Sequence, residues 1–487
     1  MTTGHSLIVR LARYFRREPV NYSPVPSEPV PVPVEGARLP VEHRVVQIEL
    51  GRQRLWLYPE GAFHDDEERH PRSILVFDPD RYLSTIGSFL RLAPGQSRRI
   101  HPGEDGQHHL LSFPQEVSVR RFEITHEGNS IVLSEPTPEL TTRFSLLDFS
   151  AGDDPLLARR HRALQRVVEI YGGPIEPLAP DLALQLLRDV TRLLENDPFR
   201  IKDRNGNPGG LIQLPPERIP ILVGDLHARL DNLLTILSQN SFMEALQANE
   251  AALVFLGDAV HPVDERALAH MDSSVLMMDL ILSLKRAFPK GIFYLLGNHD
   301  SFSPEARKGG VTQGVLWEKR LIELRGREYR DEMERFYRLS PLVALSTGFC
   351  ACHAGPPQTR ITTGTLENIR QFPELVTAIT TTRQRTPGYP EGYTAGDVRQ
   401  FRRALGLAPD TTFIVGHYPR SGEQSIWLNA GHVKGHHVFI SERPDEVGLF
   451  TRIGDDMVPM VYPVDARVQW INDLARILHE GGGSRPN

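Results

Sequence analysis

The chain has 487 residues, 40% of them hydrophobic, enough for two or three domains with ordinary cores. With 55 basic and 61 acidic residues the formal charge is -6, so there is no broad basic footprint and no nucleic-acid partner is expected. No apolar run is long enough to cross a bilayer and no signal-peptide core precedes a cleavage pattern, so a soluble, cytoplasmic chain without a transmembrane segment is expected. Two cysteines, Cys350 and Cys352, share one face of a strand and are expected to be buried thiols in a reducing compartment.

In chain order, Ser6 to Arg17 (SLIVRLARYFRR) has the pattern of a short basic amphipathic helix. Residues 22–40 are Pro-rich; proline withholds backbone donors from helix and sheet, so 1–41 reads as a basic segment and an extended linker. Over 42–150 the alternating runs Val45 to Leu50, Arg54 to Tyr58, Ser73 to Phe77, Phe89 to Leu92 and Ile131 to Leu133 predict a smaller all-β sandwich. Residues 155–171, and Leu182, Leu186, Val190, Leu193 and Leu194 at helical spacing, predict a helical connector over 151–215. An α/β domain follows over 216–465, with a helix at 331–339, and a helix and Gly-rich tail over 466–487.

Five polar clusters in that domain each follow a short apolar run: GDLH, GDAVH, GNHD, CHAG and VGH. Ile219 to Val223 leads to Asp225 and His227, Ala251 to Leu256 to Asp258, and Ile292 to Leu296 to Asn298, His299 and Asp300. Gly348 to Cys352 leads to His353, and Thr412 to Val415 to His417. Such runs read as buried, parallel strands whose polar ends converge on one rim. Each cluster alone would be an ordinary helix cap or turn; five in series supply six metal ligands, Asp225, His227, Asp258, Asn298, His353 and His417.

Carboxylate, amide and imidazole donors without thiolate suit two divalent ions, manganese first, with iron or zinc as alternatives. Asp258 is the expected bridge. Two adjacent ions lower the pKa of a shared water and clamp the oxygens of a displacement at phosphorus, which makes phosphoester hydrolysis the expected reaction. His299, beside a ligand, is assigned as general acid to the leaving oxygen.

Residues 218–420 resemble the phosphoprotein phosphatase branch of the calcineurin-like metallophosphoesterases. The family motifs GDxHG, GDxVDRG, GNHE, HGG and a late GH stand here as GDLHA, GDAVHP, GNHDS, HAG and GHYP. The resemblance implies an α/β/β/α sandwich and places the two ions on the six ligands named above. It also implies that an Asp orients the acid histidine and an Arg grips the phosphate, at positions held here by His261 and Pro262. Asp264, Asp300, Arg266 and Arg307 are the expected replacements. A second family arginine corresponds to Tyr389, with Arg383 and Arg385 just before it as substitutes.

The stretches 90–104 and 110–136 resemble a degenerate forkhead-associated domain, a phosphothreonine-binding sandwich. Ser118 matches its phosphate-contacting serine and Ile124 its core position, while His101, Pro102 and Arg121 replace other family residues. Arg120 or Arg121 would contact a phosphate, and the sandwich would recruit a protein partner. The expectation is a serine/threonine protein phosphatase acting on phosphoproteins. Its alternatives are a nucleotide or small-molecule phosphodiesterase or phosphatase, and a catalytically weak scaffold.

Overall fold

A computed structural model describes residues 25–26, 28–32, 36–40, 45–50, 53–60, 73–100, 122–134, 143–149, 154–386, 390–417, 424–464, 467–469 and 471–473. The chain divides into two compact units, residues 1–162 and 163–487.

The first unit is all-β apart from short helical pieces. One antiparallel sheet runs, in spatial order, Val25–Pro26, Arg143–Asp148, Val45–Leu50, Gln53–Glu60, Ser73–Phe77 and Phe89–Leu92. A second runs Ala37–Pro40, Ser130–Ser134, Phe122–His126 and Ser97–Ile100. Alternate residues of both, among them Val46, Ile48, Leu55, Leu57, Ile131 and Leu133, fill one core, as a period of two requires. Ile124 is fully buried in it. The Pro-rich stretch, expected to be a linker, instead contributes strands: Ala37–Pro40 pairs with Ser130–Ser134, and Val25–Pro26 with Arg143–Asp148. Both lie at sheet edges, where a proline's missing N–H costs no ladder bond. The basic segment 6–17 and His101, Pro102, Ser118, Arg120 and Arg121 lie outside the described residues.

The second unit is a helix–sheet–sheet–helix sandwich. A five-stranded sheet runs Ile292–Tyr294, Ala251–Phe255, Ile219–Val223, Glu446–Ile453 and Asp456–Pro463; the first three strands are parallel. A seven-stranded sheet runs Arg200–Lys202, Pro208–Gln213, Val343–Ser346, Phe349–Cys352, Thr412–Val415, His436–Phe439 and Ile426–Trp427. Leu222, Val254 and Phe293 of the first meet Ala351, Ile414 and Phe439 of the second in a shared core. On the outer face of the seven-stranded sheet Cys350, Cys352 and Phe413 pack with Leu366, Ile379 and Phe401. Both cysteines are buried and unbridged. The outer face of the five-stranded sheet carries helices Leu230–Ser238, Phe242–Gln247 and Asp272–Ala287.

The predicted connector helices are Pro155–Tyr171 and Pro180–Glu195. The helix expected at 331–339 is the end of Gln313–Leu339, broken at Gly326, whose φ of 85° is non-helical. Beneath it Arg325 donates to Asp279 at 2.6 Å, and both side chains are almost fully buried. Among the described residues no helix is long and apolar enough to cross a membrane.

Candidate metal centre

The five loops leave the ends of strands from both sheets and meet at one rim, so the sequence clusters converge across a sandwich instead of along one sheet. Five residues there hold left-handed backbone: His227 (φ 43°), Ala228 (61°), Asp258 (51°), His261 (68°) and His417 (39°). For a non-glycine residue that conformation costs roughly 1 kcal/mol or more and persists only where the surroundings enforce it. Hydrogen bonds enforce it here: His417 N donates to Asp225 Oδ1 at 3.0 Å, and His227 N to the Asp258 carbonyl at 3.0 Å. Gly257 and Gly297 are glycines because their backbones touch; a Cβ on either would strike the other's loop.

The donor inventory fixes which ring nitrogens face inward. His227 Nδ1 lies 3.1 and 2.8 Å from the carbonyls of Val260 and His261. Carbonyls only accept, so Nδ1 carries the proton and Nε2 presents a lone pair. His353 Nδ1 likewise donates to the Leu256 carbonyl at 2.9 Å. Its Nε2 then faces Asn298 Oδ1 at 3.0 Å and Asp258 Oδ2 at 3.3 Å. Buried Asp258 Oδ2 has no hydrogen-bond partner among the described residues. Acceptors converging without a donor require a proton or a cation between them.

Ligand atoms of Asp225, Asp258, His353 and His417 lie within 4.8 Å of one another, as do those of His227, Asp258 and His299, so Asp258 is common to both groups. This donor set fits two divalent ions. The pKa shifts show the same demand for positive charge. Burial opposes the charged His353 ring, yet Asp258 and Asp225 raise it to about 9. Burial, with repulsion from Asp258 and despite attraction by His353, lifts Asp225 to about 6. At His417, Arg383 Nε donates to Nε2 at 2.9 Å. A neutral ring has one lone pair, so ligation by His417 exchanges this bond for the ion.

His299 is held on two sides. Its N–H donates to Asp258 Oδ1 at 2.7 Å, and its Nδ1 meets His261 Nδ1 at 3.1 Å, leaving Nε2 for the cavity. Burial pulls the His299 pKa down to about 4, against the pull of Asp258. Asp300, expected to orient this ring, does not. Its carboxylate accepts from Tyr294 Oη at 2.7 Å, Gly297 N at 2.8 Å and Asp258 N at 3.1 Å, so it holds the ligand loops together. His261, at the family's Asp position, makes the contact that the sequence left to Asp300.

A cavity of about 250 Å³ is lined by Asp225, His227, Asp258, His299 and His417 together with Arg307, Lys308 and Arg383. The other expected replacements lie elsewhere. Asp264 and Arg266 are exposed, and the Asp264 carboxylate accepts from Arg266 N within its own turn. Arg385 is exposed, while Tyr389 is outside the described residues. None of Asp264, Arg266 and Arg385 lines this cavity. A second cavity of about 680 Å³ shares Arg383 and His417 with the first and is walled by Trp427, Leu428, Gln384 and Asn429.

The family model for calcineurin-like phosphoesterases matches residues 221–438, a span containing all six acceptor residues. Residues 221–438 form a calcineurin-like phosphoesterase domain. The protein is accordingly a phosphoester hydrolase, in a family that uses a dinuclear metal centre. Among solved structures, the chain is similar to a protein serine/threonine phosphatase from Saccharomyces cerevisiae with similarity to human phosphatase PP5. Identity is 14%, covering 59% of this chain and 90% of that one, with a TM-score of 0.44. It is similar also to a candidate diadenosine tetraphosphatase, at 17% identity over 53% and 99% of the two chains, TM-score 0.32. A third is a cold-active protein-tyrosine phosphatase of a psychrophilic Shewanella species, at 13% identity over 52% and 83%, TM-score 0.35. No curated protein sequence gives a significant match.

The same rim carries two further residues that no motif in the sequence marked, one within residues 221–438 and one just beyond them. Lys308 sits beside Arg307 in the cavity, and nothing local in sequence marks it. Glu442 lies 3.4 Å from His227 Nε2. It had a signal: Val438 to Ile440 is an apolar run with polar residues at its end, as at the five clusters. His436 and His437 are accounted for by packing. His436 bonds Tyr393 Oη at 2.8 Å, and His437 stacks on Phe450.

Proposed function

We propose that this phosphoesterase domain is a manganese-dependent phosphomonoesterase acting on phosphoserine or phosphothreonine in proteins. The observation that carries the reading is the cavity in which Arg307, Lys308 and Arg383 join the acceptor cluster. Three cationic side chains suit the two negative charges of a phosphomonoester better than the single charge of a diester. Bound ions would activate water and neutralise charge on the phosphoryl oxygens. Asp225, His227, Asp258, Asn298, His353 and His417 would hold those ions. Arg307, Lys308 and Arg383 orient the phosphoryl group, and His299 gives a proton from Nε2 to the leaving oxygen. Because burial keeps that ring neutral near pH 7, the approach of the phosphate dianion is what favours its charged form.

The adjoining cavity supports a second reading. Trp427 with the side-chain amides of Gln384 and Asn429 suits a stacked, hydrogen-bonded nucleobase as well as peptide flanking a phosphoresidue. Phosphate release with manganese from phosphothreonine and phosphoserine peptides, beside nucleoside monophosphates and dinucleoside polyphosphates, separates the two. The proposal requires higher kcat/KM on the phosphopeptides. Preference for nucleotides would overturn the protein-phosphatase reading and keep the hydrolase.

A further inference from the structure

We propose that Glu442 is an additional ligand of the ion at the His227 and Asp258 position, giving that position a second carboxylate and suiting it to a hard divalent ion. The inference rests on the metal-centre reading above and extends it to a residue outside the six acceptors.

Geometry carries it. Glu442 is 7% exposed, and its Oε2 has no hydrogen-bond partner among the described residues. That oxygen lies 3.4 Å from His227 Nε2. With His227 Nδ1 committed to two carbonyls, Nε2 is a lone pair, so two acceptors face each other with no proton between them. Asp225 Oδ2 is 4.0 Å from the same nitrogen. Two ligands each about 2.1 Å from one ion stand roughly 3.0 to 3.4 Å apart, the separation found between Glu442 Oε2 and His227 Nε2 and shorter than that between Asp225 Oδ2 and the same nitrogen.

The placement is enforced by the backbone. Ser441 N donates to the Asp225 carbonyl at 3.0 Å, and Ser441 Oγ accepts from Gly224 N at 3.0 Å while donating to the Gly448 carbonyl at 2.6 Å. Buried Asn232 donates to the carbonyls of Ser441 at 2.6 Å and Arg443 at 2.8 Å. The loop is thus stitched on both sides of Glu442 and to Gly224 and Asp225. A carboxylate oxygen fixed in a buried position without a donor is destabilising unless a cation completes it.

The two metal positions then differ. One has His227 with the carboxylates of Asp258 and Glu442, a hard set favouring manganese over zinc; the other has Asp225, His353 and His417 with the shared Asp258.

Wild type, Glu442→Gln and Asp258→Asn are stripped of metal, and manganese binding is followed by calorimetry and elemental analysis. Thermal melts are recorded with and without the ion. The expected result is two ions for wild type and a second ion at least tenfold weaker in Glu442→Gln. The manganese-induced rise in Tm should shrink, and the metal-free variant should melt no lower than metal-free wild type, because the amide removes a buried charge. Uptake of both ions at wild-type affinity, or a metal-free variant melting several degrees below wild type, would overturn the assignment. If Asp258→Asn loses metal while Glu442→Gln keeps both ions, only the Glu442 assignment fails. If Asp258→Asn also keeps both, the metal-centre reading itself fails.

Discussion

His261 and His299 meet through their Nδ1 atoms at 3.1 Å, so one ring donates and the other accepts. The pairing fixes the direction in which His299 presents Nε2. It leaves His261 Nε2 buried without a partner among the described residues, an unsatisfied atom retained beside the reacting centre. His261→Ala should lower kcat about tenfold with little change in KM, the loss of one hydrogen bond of about 1 to 1.5 kcal/mol. If His299 protonates the leaving oxygen, the loss should be larger for phenyl phosphate than for p-nitrophenyl phosphate, and His261→Asp should restore part of it. Equal losses on both substrates would count against this role.

The clamp makes a second prediction. Arg383→Ala, Arg307→Ala and Lys308→Ala should each reduce kcat/KM roughly ten- to two-hundredfold, the range of a charge-assisted hydrogen bond of about 1.5 to 3 kcal/mol. Arg266→Ala and Arg385→Ala, both exposed and away from the cavity, should stay within about twofold of wild type. Steady-state kinetics on one phosphomonoester decides the ranking, and a loss at Arg266 matching that at Arg383 would refute it.

How much of this was legible beforehand depends on range in sequence. The ligands could be read because each sits directly after its own apolar strand, as with Ile219 to Val223 and Asp225. The clamp could not: Arg266 is near GDAVH in sequence, but its turn faces solvent, while Arg383 arrives from a segment more than a hundred residues further on. Glu442 follows the short run Val438 to Ile440 with only Ser441 between, but no histidine or Gly-Asp marks it, although its strand ends at the same rim. In the first unit alternation gave the strands, but proline content hid that Ala37–Pro40 is an edge strand.

Proton and metal should compete at His353. Its folded pKa of about 9 lies above the ordinary 6.5, so the proton's contribution to metal-free stability is complete below about pH 6.5 and is lost as pH rises toward 9. Manganese must displace that proton, so affinity should rise with pH by up to about tenfold per unit between pH 7 and 9 and level off above. Calorimetry at three pH values tests this, and a pH-independent affinity over that interval would contradict it.

The Asp279–Arg325 pair joins the helix Asp272–Ala287 to Gln313–Leu339 away from the cavity. Asp279→Ala strands a buried guanidinium and should cost about 3 to 5 kcal/mol in denaturant unfolding. A cost below about 1 kcal/mol would contradict the pairing.

The most direct test of the whole account is phosphate release from p-nitrophenyl phosphate by metal-stripped protein, before and after adding manganese, beside Asp258→Asn. The account predicts no release without metal, turnover on adding manganese, and loss of at least a hundredfold in the variant. Release that ignores both the metal and Asp258 would contradict it.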